Sequence, residues 1–221
     1  MSVCLFESVF FDLDGTLVDT APDLAGAANK MRLDRLLPMI NKDNYRPHAS
    51  SGARGLLSIA FGITPEHRDF KILQEEFLRN YENEIHVESK FFEGIDELLT
   101  LLDDEKIPWG IITNKHSRYT KRLVKSIGLD KRTNVIVSGD TTPHAKPHPD
   151  PILFATKLAR VNPETSIYIG DDKRDIEAGQ AAGMKTMAAA YGYWPNNVPP
   201  NEWGADYIVK TPSDIKAILF S

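Results

Sequence analysis

Residues 9–17, Val9-Phe10-Phe11-Asp12-Leu13-Asp14-Gly15-Thr16-Leu17, decide the fold, because an apolar run stops abruptly at two carboxylates, a glycine and a hydroxyl. Three large apolar residues in succession predict a strand that is buried on both faces, as in a parallel sheet. The carboxyl ends of such strands are where open α/β sheets bind their ligands. We therefore expect Asp12 and Asp14 to lie at the functional edge of the sheet.

The spacing of Asp12 and Asp14 directs both carboxylates to one side of the strand, because side chains alternate along it. Two like charges so close repel each other unless a cation or a shared proton lies between them, which makes a divalent metal the simplest occupant. Gly15 permits a sharp turn, and Thr16 offers a hydroxyl and an N–H to an anion. The alternative is an ordinary strand-ending turn, since Asp-Gly pairs are common turn formers.

Length and charge narrow the class of protein. The 221 residues suit one domain, or one domain that carries a smaller insertion. A formal net charge of -5 argues against nucleic-acid and membrane partners, because an acidic surface does not attract anionic ones. The single cysteine, Cys4, has no partner for an internal disulfide, and Glu7 and Asp12 interrupt the apolar run that a signal peptide or membrane span would need. We expect a cytoplasmic protein.

Residues 19–88 show helical patterns and no strand pattern. We predict four segments there: a helix capped by Thr20 that ends near Pro38, an irregular stretch at 39–51, a helix at 52–61, and a longer helix opened by Thr64 and Pro65. This part of the chain is therefore predicted to be a helical module.

From Phe91 onward, strand and helix patterns alternate, which implies crossover connections and a parallel sheet. The predicted strands are 108–113, 134–138, 166–170, 185–189 and 206–209, and the predicted helices are 94–104, 116–126, 150–161, 174–182 and 213–220. We therefore predict an α/β fold, in which residues 1–18 and 89–221 form a doubly wound parallel sheet and the module 19–88 is inserted after the first strand.

Three later segments also place polar residues at predicted strand ends. Thr113 and Asn114 follow a buried strand, where neutral donors at a helix N-terminus suit an anion, and an ordinary helix cap is the alternative. Lys146 lies among prolines that restrict the backbone, although an isolated lysine is most often only solvated. Asp171 and Asp175 are spaced to meet on one helical turn as metal ligands, with a plain helix cap as the alternative for Asp175.

The histidines show no spacing that is typical of metal ligands. We therefore interpret most of them as solvent-facing. They are His48, His67, His86, His116, His144 and His148.

In this order and spacing, the four segments resemble the haloacid dehalogenase superfamily of phosphohydrolases. Its signatures are Asp-x-Asp-Gly-Thr, a strand-terminal Thr or Ser, a Lys-Pro, and Gly-Asp-x-x-x-Asp, which match 12–16, Thr113, 146–147 and 170–175. The resemblance implies a Rossmann-like sheet with residues 19–88 as an all-helical cap. Dehalogenases of the superfamily lack an aspartate at the position of Asp14, so its presence points to phosphoryl transfer.

Carried over by matching position, the resemblance assigns the chemical steps to two residues. Asp12 would be the nucleophile that forms an aspartyl-phosphate. Asp14 would protonate the leaving oxygen and then activate water.

The resemblance also implies a cofactor and a binding site for the phosphoryl group. Mg2+ would be held by Asp12, the backbone carbonyl of Asp14 and Asp171, with Asp175 in the outer shell. The phosphoryl oxygens would be held by Thr113, Asn114 and Lys146.

Within the superfamily, the chain is similar to the phosphoglycolate phosphatases and, more closely on segments that include 51–54 and 89–94, to the N-acetylmuramic acid 6-phosphate phosphatases. Both substrates carry a carboxylate besides the phosphate. Arg54, at a loop-to-helix junction of the insert, is a candidate to bind that carboxylate through two parallel hydrogen bonds. A solvated helix arginine is the alternative.

The function that the resemblance implies is Mg2+-dependent hydrolysis of a small acidic phosphate ester. One alternative is a phosphosugar mutase of the same superfamily, in which the phosphoryl group passes to a sugar hydroxyl. Another is a catalytically silent metabolite sensor, which is disfavoured because the charges of Asp12, Asp14, Lys146 and Asp171 are costly to bury without a metal or an anion.

Overall fold

The computed structural model describes residues 4–133, 135–194 and 198–221. Its strands are β1 (Ser8–Phe11), β2 (Val18–Asp19), β3 (Lys90–Phe91), β4 (Trp109–Ile112), β5 (Ile136–Val137), β6 (Ser166–Gly170), β7 (Lys185–Ala189) and β8 (Tyr207–Val209). Asn134, predicted as the first residue of a strand, lies outside the described residues.

The helices of the described ranges follow in chain order. They are α1 (Ala21–Leu33), α2 (Lys42–Tyr45), α3 (Gly52–Phe61), α4 (Phe70–Asn83), α5 (Ile95–Asp104), α6 (Ser117–Ser126), α7 (Asp150–Ala159), α8 (Lys173–Ala181) and α9 (Pro212–Leu219). None of these described helices is both long and apolar enough to cross a bilayer.

Six of the described strands form one parallel sheet in the order β5-β4-β1-β6-β7-β8. β1 lies inside the sheet, with Phe11 aligned to Ile111 of β4 and to Ile169 of β6. In chain order, β4 and β5 are added on one side of β1, and β6, β7 and β8 are then added on the other side. The direction of strand addition therefore reverses beside β1. Ligands bind at such reversals in open α/β sheets, and Asp12 directly follows β1 there. The predicted doubly wound parallel sheet is confirmed.

Helices cover both faces of this sheet, which explains the uninterrupted apolar run of β1. Phe10 belongs to a buried cluster with Ile152 of α7 and Ala178 of α8. Phe11 points to the opposite face, into a cluster that includes Leu98 of α5 and residues of α6 and α9. Each large apolar side chain buried in this way contributes about 1.5–3 kcal/mol to folding.

The helices α1 to α4 lie between β2 and β3, which pair as a two-stranded antiparallel sheet. Val18 is aligned with Phe91, so the chain enters and leaves the insert at neighbouring points. The carboxylate of Asp23 on α1 reinforces this closure by accepting hydrogen bonds from the backbone N–H groups of residues 87–89. These strands were not predicted, because two residues are too few to show an alternating pattern.

The prediction that a helix opens at Thr64 and Pro65 is wrong, since α4 begins at Phe70. The intervening residues form turns instead. The carbonyl of Thr64 accepts a hydrogen bond from the N–H of His67 at 2.9 Å, and Nδ1 of His67 accepts one from the N–H of Asp69 at 3.2 Å. The hydrogen bond from Asp69 to the His67 side chain competes with helix formation between Thr64 and Asp69.

The stretch 39–51 was predicted to be irregular, but it contains α2 and a 3-10 helix at Arg46–Ser51. Tyr45 is fully buried there, and its hydroxyl donates to the side-chain oxygen of Asn29 on α1 at 3.1 Å. Tertiary packing therefore imposes a regular structure that the polar sequence does not indicate. Helix α1 also ends before the predicted Pro38, at Leu33.

Candidate active site

A cavity of about 240 Å3 lies between the carboxyl edge of the sheet and the helical insert. Its lining residues from the sheet side are Asp12, Asp14, Thr113, Asn114, Lys115, Lys146, Asp172, Arg174 and Asp175. The insert contributes Leu24 and residues 49–52. Of the predicted catalytic and phosphate-binding residues, all five line this one cavity.

Asp12 and Lys146 form a buried ion pair at the base of the cavity. The Lys146 Nζ lies 3.0 Å from Asp12 Oδ1 and 2.6 Å from Asp175 Oδ1. Its hydrogen bonds of good geometry go to the Ile112 carbonyl at 2.8 Å and to the Tyr168 hydroxyl at 2.7 Å. Among the described residues, the buried Asp12 Oδ1 therefore has the ion pair with Lys146 and no other hydrogen-bond partner. A buried oxygen of this kind is poised for a cation or a reacting group.

Opposing effects determine the pKa of Asp12. Burial raises the pKa of Asp12 to about 7 against the opposing charge of Lys146, and the nearby carboxylates of Asp175 and Asp14 add to the rise. Burial also raises the pKa of Asp171 well above its usual range, with a further contribution from Asp12 and Asp175. Full ionisation of the cluster would therefore place more negative charge there than one ammonium compensates, and a bound cation would favour that ionised form.

Asp171 is held rigidly beside Asp12 although it is not a lining residue. Its carboxylate accepts hydrogen bonds from the Thr16 hydroxyl at 2.9 Å and from the Tyr193 N–H at 2.7 Å. The Ser50 hydroxyl of the insert approaches the same carboxylate at 3.4 Å. The motif hydroxyl of Thr16 thus orients a carboxylate and does not face the cavity as an anion donor.

Two glycines allow the carboxylates to come this close to the backbone. A Cβ on Gly15, which has φ +86°, would lie 2.1 Å from Asp171 Oδ2. A Cβ on Gly170 would lie 2.3 Å from Asp175 Oδ2. No side chain larger than hydrogen fits at either position without displacing a carboxylate.

The residues of the acidic cluster fit Mg2+. Ligand oxygens of Asp12, Asp171 and Asp175 all lie within 4.8 Å of one another, and Mg2+ prefers oxygen ligands. Asp175 is already engaged by Lys146 and by the N–H of Asp172 at 3.0 Å. The Asp171 carboxylate is engaged as well, so the division into direct ligands Asp12 and Asp171 and an outer position for Asp175 stays a prediction.

The Asp14 carboxylate pairs with Lys115. Lys115 Nζ lies 2.9 Å from Asp14 Oδ1, and the Thr20 hydroxyl donates to the same oxygen at 2.6 Å. Thr20 therefore occupies the predicted cap position of α1, but its hydroxyl makes no capping bond. Lys115 also lies over the ring of Tyr81, a residue of α4, at 4.6 Å from the centroid. Burial alone would lower the pKa of Lys115, but Asp14 and Tyr81 raise it, so the ammonium stays charged beside Asp14.

Thr113 and Asn114 follow β4 as predicted. Thr113 is buried, and its hydroxyl accepts a hydrogen bond from the N–H of Lys115 at 3.1 Å. The side-chain amide of Asn114 bonds the backbone of Lys146 in both directions, at 2.9 Å and 3.0 Å. We assign the Asn114 side chain to holding Lys146 in place, and a contact between Asn114 and a phosphoryl oxygen stays a prediction.

The insert closes the cavity through the turn that contains Ser50. The guanidinium of Arg174 on α8 donates to the Ser50 carbonyl at 3.0 Å and makes two bonds to the Asp172 carboxylate, at 2.8 Å and 2.7 Å. The Ser50 hydroxyl also donates to the Tyr193 carbonyl at 3.2 Å. One turn of the insert is thereby fastened to the residues that follow β6 and β7.

Arg54 is an exposed residue on the first turn of α3, outside the set of cavity-lining residues. Its role toward a substrate carboxylate stays a prediction. The sequence reasoning gave no role to Lys115 and Arg174, which both line the cavity. Arg174 stands inside the matched segment 170–175 and Lys115 directly follows Asn114, so their positions beside Asp175 and Asn114 were the signal that could have identified them.

The similarity to known proteins covers both the sheet and the helical insert. Residues 9–189 match the haloacid dehalogenase-like hydrolase family. An N-acetylmuramic acid 6-phosphate phosphatase from Pseudomonas putida is 38% identical over 214 residues, which cover 97% of this chain and 96% of the relative. A phosphoglycolate phosphatase from Xanthomonas campestris is 38% identical over 211 residues, which cover 94% of each protein.

A solved structure shows the same arrangement of the whole chain. The crystal structure of a predicted phosphoglycolate phosphatase from Haemophilus somnus aligns with a TM-score of 0.83 and 27% identity. The alignment covers 97% of this chain and 98% of that one.

Proposed function

Because the chain belongs to the haloacid dehalogenase-like hydrolases, we propose that it is a Mg2+-dependent phosphatase of small carboxylate-bearing phosphate esters. The observation that carries the proposal is the buried Asp12 Oδ1, which pairs with Lys146 at 3.0 Å and has no other hydrogen-bond partner among the described residues. A carboxylate oxygen with one charged partner, at the base of a cavity, keeps a lone pair for phosphorus or a metal.

Asp12 acts as the nucleophile in this proposal. One Asp12 oxygen attacks phosphorus while the bond between phosphorus and the ester oxygen breaks, which leaves an aspartyl-phosphate on the enzyme. Lys146 lies 3.0 Å from Asp12, so its positive charge would offset the charge that gathers on the phosphoryl oxygens beside that carboxylate.

Asp14 acts as the general acid in the first step and as the general base in the second. In its protonated form it donates to the departing alcohol oxygen, and its carboxylate then takes a proton from the water that attacks the aspartyl-phosphate. The bond between phosphorus and Asp12 breaks in that second step, and phosphate leaves. Lys115, at 2.9 Å, stabilises the Asp14 carboxylate between the two steps.

Asp12, Asp171 and the backbone carbonyl of Asp14 would hold the Mg2+ ion, with Asp175 in the outer shell. A bound Mg2+ ion neutralises charge on the transferring phosphoryl group. The insert residues Leu24 and Ala49 are apolar and line the cavity, so they exclude water from the departing alcohol.

Phosphoglycolate and N-acetylmuramic acid 6-phosphate are the proposed substrates. Relatives with each of these activities in their names are equally similar to this chain, at 38% identity. Both molecules present a carboxylate some distance from phosphorus, and Arg54 of the insert is our proposed partner for it. This assignment requires Arg54 to turn toward the cavity mouth when substrate is bound.

The test is release of inorganic phosphate from a panel of phosphate esters that includes both substrates, with and without Mg2+. We expect one of the two to have the highest kcat/KM and EDTA to abolish turnover. Phosphate release without a bisphosphate activator would exclude the mutase alternative. If neither carboxylate-bearing ester is preferred over glycerol phosphate and p-nitrophenyl phosphate, the proposed substrate class is wrong.

A further inference from the structure

A second cluster of potential metal ligands lies outside the cavity, on the segment that carries Lys146. His144, His148 and Asp150 each present a ligand atom, and these atoms lie within 4.8 Å of one another. The sequence spacing of the histidines did not indicate this cluster, because the chain between them turns and stacks the two rings, with centroids 4.3 Å apart.

Both imidazole rings direct Nδ1 at the carboxylate of Asp150. His144 Nδ1 lies 2.7 Å from Oδ2, and His148 Nδ1 lies 3.1 Å from Oδ1. The backbone N–H of Asp150 also donates to His148 Nδ1 at 3.3 Å, so that nitrogen carries a lone pair. A metal-binding imidazole needs such a lone pair, and a cation at the cluster would compete with the Asp150 N–H for it.

The ligand atoms of this cluster indicate which class of cation would bind. Two imidazole nitrogens and one carboxylate suit a borderline transition metal such as Zn2+, whereas Mg2+ prefers oxygen alone. Two ligands of a tetrahedral Zn2+ stand about 3.4 Å apart, which small side-chain rotations would achieve here. The side chains are 62%, 46% and 31% exposed for His144, His148 and Asp150, so rotation and a water ligand are both sterically free.

The backbone holds the three ligands in place. Pro147 and Pro149 restrict the chain on either side of His148, and Asp150 is the first residue of α7. Lys146 lies between the two histidines in sequence, yet its side chain is buried toward the cavity while theirs are exposed. The cluster is therefore on the outer side of the same segment, separate from Asp12 and its neighbours.

From these contacts we propose that His144, His148 and Asp150 form a binding site for a Zn2+-class transition metal, distinct from the Mg2+ site. The site does not depend on the proposed phosphatase activity. A metal bound there ties the segment before Lys146 to the start of α7 and so adds a cross-link to the fold.

The experiment is calorimetric titration of the Mg2+-saturated full-length protein with Zn2+. Wild type is expected to bind one more equivalent of Zn2+ than the double variant His144→Ala/His148→Ala, because loss of an outer-shell partner alone weakens metal binding by about 10- to 100-fold and a lost ligand costs more. His86→Ala removes an exposed histidine outside the cluster and is expected to titrate like wild type.

A second readout separates binding from damage to the fold. Zn2+ should raise the melting temperature of wild type and of His86→Ala by the same amount, and the rise should be smaller in the double variant, while all three melt alike in EDTA. Equal Zn2+ stoichiometry and equal affinity in wild type and the double variant would overturn the proposal. A lower melting temperature of the double variant in EDTA would call for the same titration on Asp150→Asn, where an unchanged Zn2+ equivalent would likewise overturn it.

Discussion

The sheet edge and the helical insert enclose the same cavity by different means. The sheet edge presents charged side chains, such as Asp12 and Lys146, that are buried and fixed by contacts to one another. The insert presents small and apolar residues, Leu24 and 49–52, and its turn at Ser50 is fastened through a backbone carbonyl. In our proposal, this difference means that the sheet edge sets the reaction, while the insert sets access and the choice of substrate.

Asp12→Asn tests the sheet side and should have the largest effect. We expect kcat to fall by at least about 1,000-fold, because an amide neither attacks phosphorus nor serves as an anionic metal ligand. The fold should be retained, since the amide is nearly isosteric. The matched control is Asp34→Asn, at an exposed ion pair on the insert, with near wild-type rates expected. Retention of a tenth of the activity would remove Asp12 from its role.

Asp14→Asn should come next, and its effect should depend on the leaving group. With a sugar or glycolate ester we expect a loss of about 100- to 10,000-fold in kcat, the range typical of general acid–base catalysis. With p-nitrophenyl phosphate, formation of the intermediate should suffer much less, because that leaving group needs no proton. Burst kinetics would separate the two steps. Equal loss of the first step with both ester classes would indicate damage to the metal site and not loss of the acid.

Arg54→Ala tests the insert side and should discriminate between substrates. If Arg54 binds the substrate carboxylate, kcat/KM should fall by about 2 kcal/mol for carboxylate-bearing esters and change little for p-nitrophenyl phosphate. Arg68→Ala is the control, because Arg68 is 89% exposed in a turn of the same insert. A proportional loss on both substrates would place Arg54 in a structural role.

Arg174→Ala should have the smallest effect, and the effect should be the same for all substrates. Arg174 bridges Asp172 and the Ser50 carbonyl, so its loss frees the turn of the insert and costs about 1 kcal/mol in kcat/KM. Arg174→Lys should behave similarly, because an ammonium cannot make the same forked contacts. A loss confined to carboxylate-bearing esters would instead assign substrate recognition to Arg174.

The sequence predicted Asp12, Asp14, Thr113 and Asn114 at the sheet edge because each stands in a local motif after an apolar strand, where the structure also places them. The parallel sheet was predictable because the alternation of strand and helix patterns is also a local property of the sequence. By contrast, the pairing of Lys115 with Asp14 joins residues 101 positions apart, and the hold of Arg174 on Ser50 joins residues 124 positions apart. Such contacts depend on the assembled fold.

The insert was less predictable for a related reason. Residues 39–51 carry no apolar periodicity, yet packing of Tyr45 against α1 orders them. The turn that reaches Arg174 lies in this stretch, so the part of the insert that closes the cavity has no signature in the sequence. The early start assigned to α4 failed because turn hydrogen bonds around His67 outcompete the helical pattern.

The central claim is that Asp12 carries the phosphoryl group, and trapping the intermediate tests it most directly. Asp14→Asn protein, mixed with Mg2+ and p-nitrophenyl phosphate and quenched with hydroxylamine, should accumulate an acyl phosphate that converts to a hydroxamate. Peptide mass spectrometry is expected to find the hydroxamate on Asp12 and only when substrate is present. A hydroxamate on another carboxylate, or none on Asp12 despite a burst of p-nitrophenol, would contradict the account.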